Sequence, residues 1–199
     1  MRDVKPIRIF MTGVGGQGTL TATTLLAKTV LSQGLPVTSG EIHGMAQRGG
    51  VVESTVLIGC KSPKIGPGEA DILLGFEPME TLRALPYLKP GGAVFSSTEF
   101  MPPLSVAMGK QESVTLDEVK AKVAACTDNA HYLPCQSLGL EAGAVQSGNV
   151  ALLAAMCAGG ALPFGPEALE SAMRVNLPAK ILDVNLKALE LGVAAVRNA

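Results

Sequence analysis

The sequence predicts an α/β chain: one domain over residues 1–199 with a single Rossmann-like, doubly wound, mostly parallel sheet, flanking helices and a helical C-terminal region. Three observations carry this expectation. The apolar run Ile7-Arg8-Ile9-Phe10-Met11-Thr12 leads into Gly13-Val14-Gly15-Gly16-Gln17-Gly18 and then into a long helix-forming stretch. Strand, glycine turn and helix in that order open doubly wound folds. Two short apolar runs, Ala70 to Phe76 and Gly92 to Ser96, have the composition of parallel strands covered on both faces. From Asn149 onward the chain is helix-rich.

Taken in order, the first glycine of the turn, Gly13, allows a tight reversal, Gly15 allows another molecule to touch the backbone, and Gly18 brings helix close to strand. Free N–H groups at the start of that helix would attract an anion, which makes Gly13, Gly15, Gly16, Gln17 and Gly18 candidate contacts for an anionic group or a partner backbone. The alternative is a tight strand-to-helix connection with no ligand. Thr19 to Gln33 carries apolar residues on several faces and stops at Gly34, so it reads as a helix largely covered by neighbours.

Leu35 to Thr38 is short and extended. Val51 to Ile58 alternates, Val52, Val56 and Ile58 opposing Glu53 and Thr55, the pattern of a half-exposed strand that would pair antiparallel with residues just beyond Gly59. Met79 to Leu88 supplies the crossover helix of a βαβ unit, its last turn distorted by Pro86. Thr115 to Ala125 is amphipathic, with Thr115 placed to cap it. His131 to Cys135 reads as a last edge strand, with His131 and Cys135 as ordinary residues of that strand and not a catalytic pair. Asn149 to Ala158, Pro166 to Val175 and Leu182 to Val196 read as the terminal helices.

Composition narrows the function. Lys plus Arg number 16 and Asp plus Glu 17, a net charge of −1, which gives no electrostatic reason to expect a nucleic acid or an acidic membrane. Charged residues make up 17% of the chain, against roughly 25% in ordinary soluble domains; part of the surface is expected to be covered by other chains. No apolar run reaches the roughly 18 residues of a membrane span and the N-terminus lacks a signal sequence, so a cytoplasmic protein is expected. Cys60, Cys126, Cys135 and Cys157 form no C-x-x-C pair and stand with only His43 and His131, which supplies no recognisable metal or cluster ligand set. Buried free thiols in a reducing compartment are expected, with any redox centre on a different polypeptide.

The most unusual segment is Gly40-Glu41-Ile42-His43-Gly44-Met45-Ala46-Gln47-Arg48-Gly49-Gly50. It hangs groups of four chemistries on a glycine-rich backbone, as a binding loop does and as a solvated surface loop also can. A dinucleotide fold would place a carboxylate at the end of the second strand to hold ribose hydroxyls. That strand end is Thr38-Ser39, and Glu41 lies beyond it, so a stand-alone NAD- or NADP-binding oxidoreductase is the weaker alternative.

The GVGGQG turn at Gly13 to Gly18, the segment Glu41 to Gly50, the Gly68-Glu69-Ala70-Asp71 lead into a strand ending Phe76-Glu77-Pro78, and the stretches Tyr87 to Gly92, Gly148-Asn149 and Leu177 to Lys180 together resemble the gamma-type subunit of 2-oxoacid:ferredoxin oxidoreductases, over nearly the whole chain. The closest look is to the small (beta) subunit of the indolepyruvate enzyme. Ala46 departs from the serine expected in an indolepyruvate-type loop. The resemblance implies a complex that oxidatively decarboxylates a 2-oxoacid (indolepyruvate, pyruvate or 2-oxoglutarate type) with thiamine diphosphate, passes electrons through iron–sulfur clusters to ferredoxin and yields an acyl-CoA. It implies that the thiamine and the clusters sit on the partner subunits, and that this chain, without catalytic residue, metal or cofactor of its own, is a structural and CoA-facing component, inactive by itself. Glu41, His43, Gln47, Arg48, Gly49 and Gly50 would then form its interface, with Arg48 meeting a partner carboxylate or a CoA phosphate.

Overall fold

A computed structural model describes residues 4–43, 50–101 and 114–197. Six strands form one sheet among these residues: β1 (Ile7–Val14), β2 (Val37–His43), β3 (Val51–Ile58), β4 (Ala70–Gly75), β5 (Leu88–Ser97) and β6 (Ala130–Leu133), in spatial order β2-β3-β1-β4-β5-β6. β1, β4, β5 and β6 are parallel neighbours, whereas β3 runs antiparallel to both β1 and β2. The sheet is therefore mostly parallel with one reversed strand.

That reversal corrects the expected partner of Val51 to Ile58. The segment after Gly59 forms no strand: Gly59 leaves the extended region at φ 73°, and Pro63 and Pro67 follow soon after it. β3 returns instead along β2, from which it is separated by a short connection that cannot support a parallel crossover. β2 is also longer than expected. Gly40, Glu41, Ile42 and His43 pair with Thr55, Ser54, Glu53 and Val52, which takes the first part of the glycine-rich segment out of the loop and into the edge of the sheet.

Seven helices accompany these strands among the described residues: α1 (Thr19–Ser32), α2 (Pro78–Ala84), α3 (Leu116–Ala124), α4 (Cys135–Ala142), α5 (Gly148–Ala158), α6 (Pro166–Asn176) and α7 (Ala179–Arg197). α2 passes into a 3₁₀ turn at Leu85–Tyr87, where Pro86 cannot donate to an α-helical ladder. Thr115 caps α3 in a full capping box with Glu118, the arrangement that satisfies two orphan N–H groups reciprocally. α4 was not expected. It contains Gly139, whose missing side chain leaves room for the Val145 carbonyl, 2.5 Å from where a Cβ would stand, so tertiary packing overrides a weak helical pattern.

Alternation along β1 divides the core. Ile9 and Met11 face a cluster built with α1, α4, α5, α6 and α7, while Phe10 faces a smaller one built with α2 and α3. Helices thus cover both faces, as the doubly wound expectation requires. α5 is the central helix: every residue from Gly148 to Cys157 is buried, each large apolar side chain contributing about 1.5–3 kcal/mol by leaving water. α1 is less covered than its composition suggests, since Leu20 and Leu31 are 44% and 59% exposed. Only Cys135 and Cys157 among the four cysteines are buried; Cys60 is half-buried and Cys126 exposed, all four as free thiols.

Candidate functional site at the glycine turn

β1, an interior strand, carries Gly13 to its C-terminal end, after which the turn leads into α1. A Cβ on Gly13 would stand 2.9 Å from Gln17 Oε1, 3.0 Å from Thr19 Oγ1 and 3.1 Å from Phe76 Cβ. Close packing of helix on strand is thus done by the first glycine, not the third. Gln17 is an internal clasp: the Val14 N–H donates to its Oε1 at 2.7 Å and its Nε2 donates to the Phe76 carbonyl at 2.9 Å. The tips of β1 and β4 are tied together by one side chain.

Positive φ falls on Gly16 (107°) and Gly18 (77°), the conformation that L side chains resist. Gly18 is also approached closely, because Asn149 Nδ2 donates to its carbonyl at 3.1 Å and would meet a Cβ at 2.4 Å. Around Gly16 there is nothing within 4 Å of a Cβ position, so this is where the turn lies open. The Gly15 N–H is engaged by the Gly50 carbonyl at 2.8 Å. The two glycine motifs of the sequence therefore meet in space.

α1 starts without a side-chain cap or an acidic residue in its first turn. The N–H groups of Gly16, Gly18, Thr19 and Leu20 find no acceptor among the described residues, and the buried Thr19 hydroxyl has no partner either. Such a terminus attracts negative charge through its free donors and the helix dipole. Beside it lies a cleft of about 160 Å³ lined by Gly16, Gln17, Phe76, Met101, Gln136 and Asn149 among others, onto which the first residues of α4 and α5 also converge. The volume suits a phosphate or carboxylate, not a whole nucleotide.

Two carboxylates missed by sequence reasoning shape the rim. Glu99 accepts from the Gln136 N–H at 2.5 Å and from the Ser137 N–H at 3.1 Å and hydroxyl at 2.5 Å, occupying the α4 terminus with the chain's own charge. Glu77 accepts from the Glu80 N–H at 2.9 Å and the Met101 N–H at 3.3 Å. Burial pushes the Glu77 carboxyl up from its ordinary value against these hydrogen bonds. The Glu77-Pro78 pair, an acceptor followed by proline at the first helical position, was the signal available for it. Cys135 in the cleft wall is no nucleophile, since burial drives its thiol to about 12.

Of the expected interface set, Glu41 sits exposed on edge strand β2, His43 ends that strand opposite Val52, and Gly50 touches Gly15. Gln47, Arg48 and Gly49 lie outside the described residues. β3 separates β2 from β1, which puts Glu41 two strand spacings, about 10 Å, from the glycine strand. A conventional dinucleotide pose would need that carboxylate on the neighbouring strand. His131 stacks on Phe95 with ring centroids 4.7 Å apart, an ordinary packing role on the edge strand. No group of three or more His, Cys, Asp or Glu able to hold a metal ion occurs among the described residues, and no described helix is long and apolar enough to cross a membrane.

Residues 8–195 match the family described as Pyruvate ferredoxin/flavodoxin oxidoreductase. The chain is 39% identical over 198 residues to the Indolepyruvate oxidoreductase subunit IorB of Thermococcus kodakarensis, covering 98% of each. Its fold is similar to that of a keto/oxoacid ferredoxin oxidoreductase gamma subunit from Geobacter sulfurreducens, with TM-score 0.69 and 22% identity over 97% of this chain and 99% of that one. It is also similar to part of the 2-oxoglutarate:ferredoxin oxidoreductase of Magnetococcus marinus, with TM-score 0.72 and 18% identity over 98% of this chain and 32% of that longer chain.

Proposed function

This chain belongs to the pyruvate ferredoxin/flavodoxin oxidoreductase family, and from that premise we propose that it works as the gamma-type subunit of a 2-oxoacid:ferredoxin oxidoreductase of the indolepyruvate type. The observation that carries the reading is the 39% identity to an indolepyruvate oxidoreductase subunit over 98% of both chains. The partner subunits bring thiamine diphosphate and iron–sulfur clusters, which supply decarboxylation and electron transfer to ferredoxin.

This chain's own contribution is a shaped, anion-friendly surface. The uncapped start of α1, whose N–H groups at Gly16, Gly18 and Thr19 find no acceptor among the described residues, fits a phosphate of CoA by size and charge. Gln17 and Asn149 hold the turn that presents those donors. Glu41, His43, Gln47, Arg48, Gly49 and Gly50 form the adjoining contact with the partner, and the Gly15–Gly50 hydrogen bond supports that reading by joining loop to turn. Arg48→Ala is expected to leave folding within about 0.5 kcal/mol, the usual scale for a charge that makes no structural contact, while weakening assembly or CoA use; urea unfolding and the KM for CoA check the two halves.

The decisive experiment is co-expression with the thiamine-binding partner and anaerobic assay of ferredoxin reduction with indolepyruvate, pyruvate or 2-oxoglutarate plus CoA. Activity with an arylpyruvate that requires both chains supports the proposal. Equal turnover by the partner without this chain, or turnover by this chain alone, overturns it. Saturable binding of NAD or NADP to the isolated chain would revive the other reading.

A further inference from the structure

Three helices start around the cleft beside the glycine turn, and their first turns are treated differently. α1 begins without a side-chain cap. Thr19 at that start is 3% exposed, yet its hydroxyl has no partner among the described residues and lies 3.0 Å from where a Cβ on Gly13 would stand. α5 continues from the 3₁₀ turn Val145–Ser147, whose carbonyls take the Gly148 N–H. α4 begins against Glu99, whose carboxylate accepts from the Gln136 and Ser137 N–H groups and from the Ser137 hydroxyl. That carboxylate is itself fixed in place. The Glu99 N–H donates to Ser97 Oγ at 3.1 Å, and the preceding Thr98 N–H donates to the Leu133 carbonyl at 2.8 Å, which ties the segment after β5 to the end of β6.

Glu99 satisfies hydrogen-bond donors, but it also brings a charge. Among the described residues no Lys, Arg or His forms an ion pair with it, and none of the residues lining the cleft is charged. Its field reaches the cleft wall: the Cys135 thiol is driven up first by burial and, as a smaller contribution, by the Glu99 carboxylate. The Gln136 and Gln146 amides make no side-chain hydrogen bond with described residues and offer the cleft neutral contacts only. An anion at α1 therefore gains from the helix start and is repelled by Glu99. The gain stops growing once the few N–H groups of the turn are engaged. The repulsion grows with every further charge on the ligand.

We propose that Glu99 is a charge-selecting residue of this cleft: it fills the α4 start with the chain's own carboxylate, so that the site accepts one phosphate at α1 and turns away compact polyphosphates. The proposal rests on the phosphate reading above and adds the residue that decides which phosphates compete for the turn. In this role Glu99 touches no ligand. It acts through its field and through the helix start that it occupies.

The test is competition against CoA in the assembled complex, with orthophosphate, pyrophosphate and tripolyphosphate as probes and the ratios of their inhibition constants as the readout. In the parent complex the two polyphosphates are expected to bind no tighter than orthophosphate. Glu99→Gln is expected to tighten both by about threefold or more relative to orthophosphate, the scale of a screened charge pair across a narrow cleft. Glu99→Asp keeps the charge and should keep the parent's order. Glu190→Gln, exposed on α7 and outside the cleft lining, removes a carboxylate elsewhere and should alter no ratio by more than about twofold. If Glu99 only held α4 in place, its loss would raise all three constants together and leave their ratios alone, and that outcome overturns the inference. So does pyrophosphate binding about tenfold tighter than orthophosphate in the parent, a measurement that needs no variant to fold. Both results leave the phosphate reading intact. Failure of all three probes to compete with CoA while the complex turns over defeats the phosphate reading and this inference together.

Discussion

Gly16 and Gly18 have similar backbone sign but different surroundings, which makes them a matched pair for separating conformational strain from contact. Both carry positive φ, yet a Cβ is free at Gly16 and collides with Asn149 at Gly18. Gly16→Ala is expected to cost about 1–2 kcal/mol, the left-handed penalty alone, and Gly18→Ala more, because Asn149 must also release the Gly18 carbonyl. The difference between their urea midpoints checks this; equal midpoints would mean that Asn149 moves aside freely. Glu80 offers a test by pH. Burial, and after it the neighbouring carboxylates, outweigh Arg83 and raise its folded pKa above 4.5. The folded state then binds the proton more tightly than the unfolded chain. Stability from this group is fully present below pH 4.5 and is lost as pH rises through the folded pKa. Glu80→Gln cannot ionise, so its stability relative to the parent is expected to rise as pH climbs above 4.5, measured as the difference of two urea-unfolding series. A flat difference curve would refute it.

At the scale of elements, α5 and α7 pack through a glycine. A Cβ on Gly192 would lie 2.0 Å from the Ala151 carbonyl oxygen, and backbone cannot yield as a side-chain tip can. Gly192→Ala should separate the two helices and cost about 1–3 kcal/mol or more despite alanine's better helix propensity. Gly34→Ala, at the end of α1 with φ 71° and nothing nearby, should lose only the left-handed penalty of about 1–2 kcal/mol. Thermal unfolding of the two variants orders them. Elements of this kind were unevenly legible in the sequence. α2, α3, α6 and the β4–β5 pair announce themselves by capping residues, proline at a first turn and short apolar runs, all of them local signals. α4 does not, because Gly139 and Pro134 look like breakers until the packing of the Val145 turn against Gly139 is seen. The partners of β3 were equally hidden: alternation fixes which side chains share a face, but register with β1 and β2 depends on contacts distant in sequence. In the candidate site, the glycine turn was legible as a turn and Glu77 was signalled by the proline that follows it, while Glu99 and Asn149 act through long-range hydrogen bonds that no local spacing encodes.

For the molecule as a whole, the isolated chain carries the marks of one that finishes its surface elsewhere. Its charged fraction is 17%, and Leu20, Leu31, Ile42, Leu140 and Val175 are all exposed, Val175 by 83%. Single exposed apolar residues are ordinary, but Ile42 is 69% exposed on β2, which is an end strand of the sheet among the described residues. A partner that binds only the folded chain must stabilise it by mass action, about 2.7 kcal/mol when present at a hundred times its dissociation constant. For a domain of roughly this size each kcal/mol moves the midpoint by about 2–4 °C. The thermal transition of this chain should therefore rise by about 5–10 °C when saturating partner subunit is added. Scanning calorimetry of the chain, the partner and the mixture measures it directly. An unchanged midpoint for the parent chain would mean that its folding owes nothing to association, and the low surface charge would then have to be explained by the isolated fold.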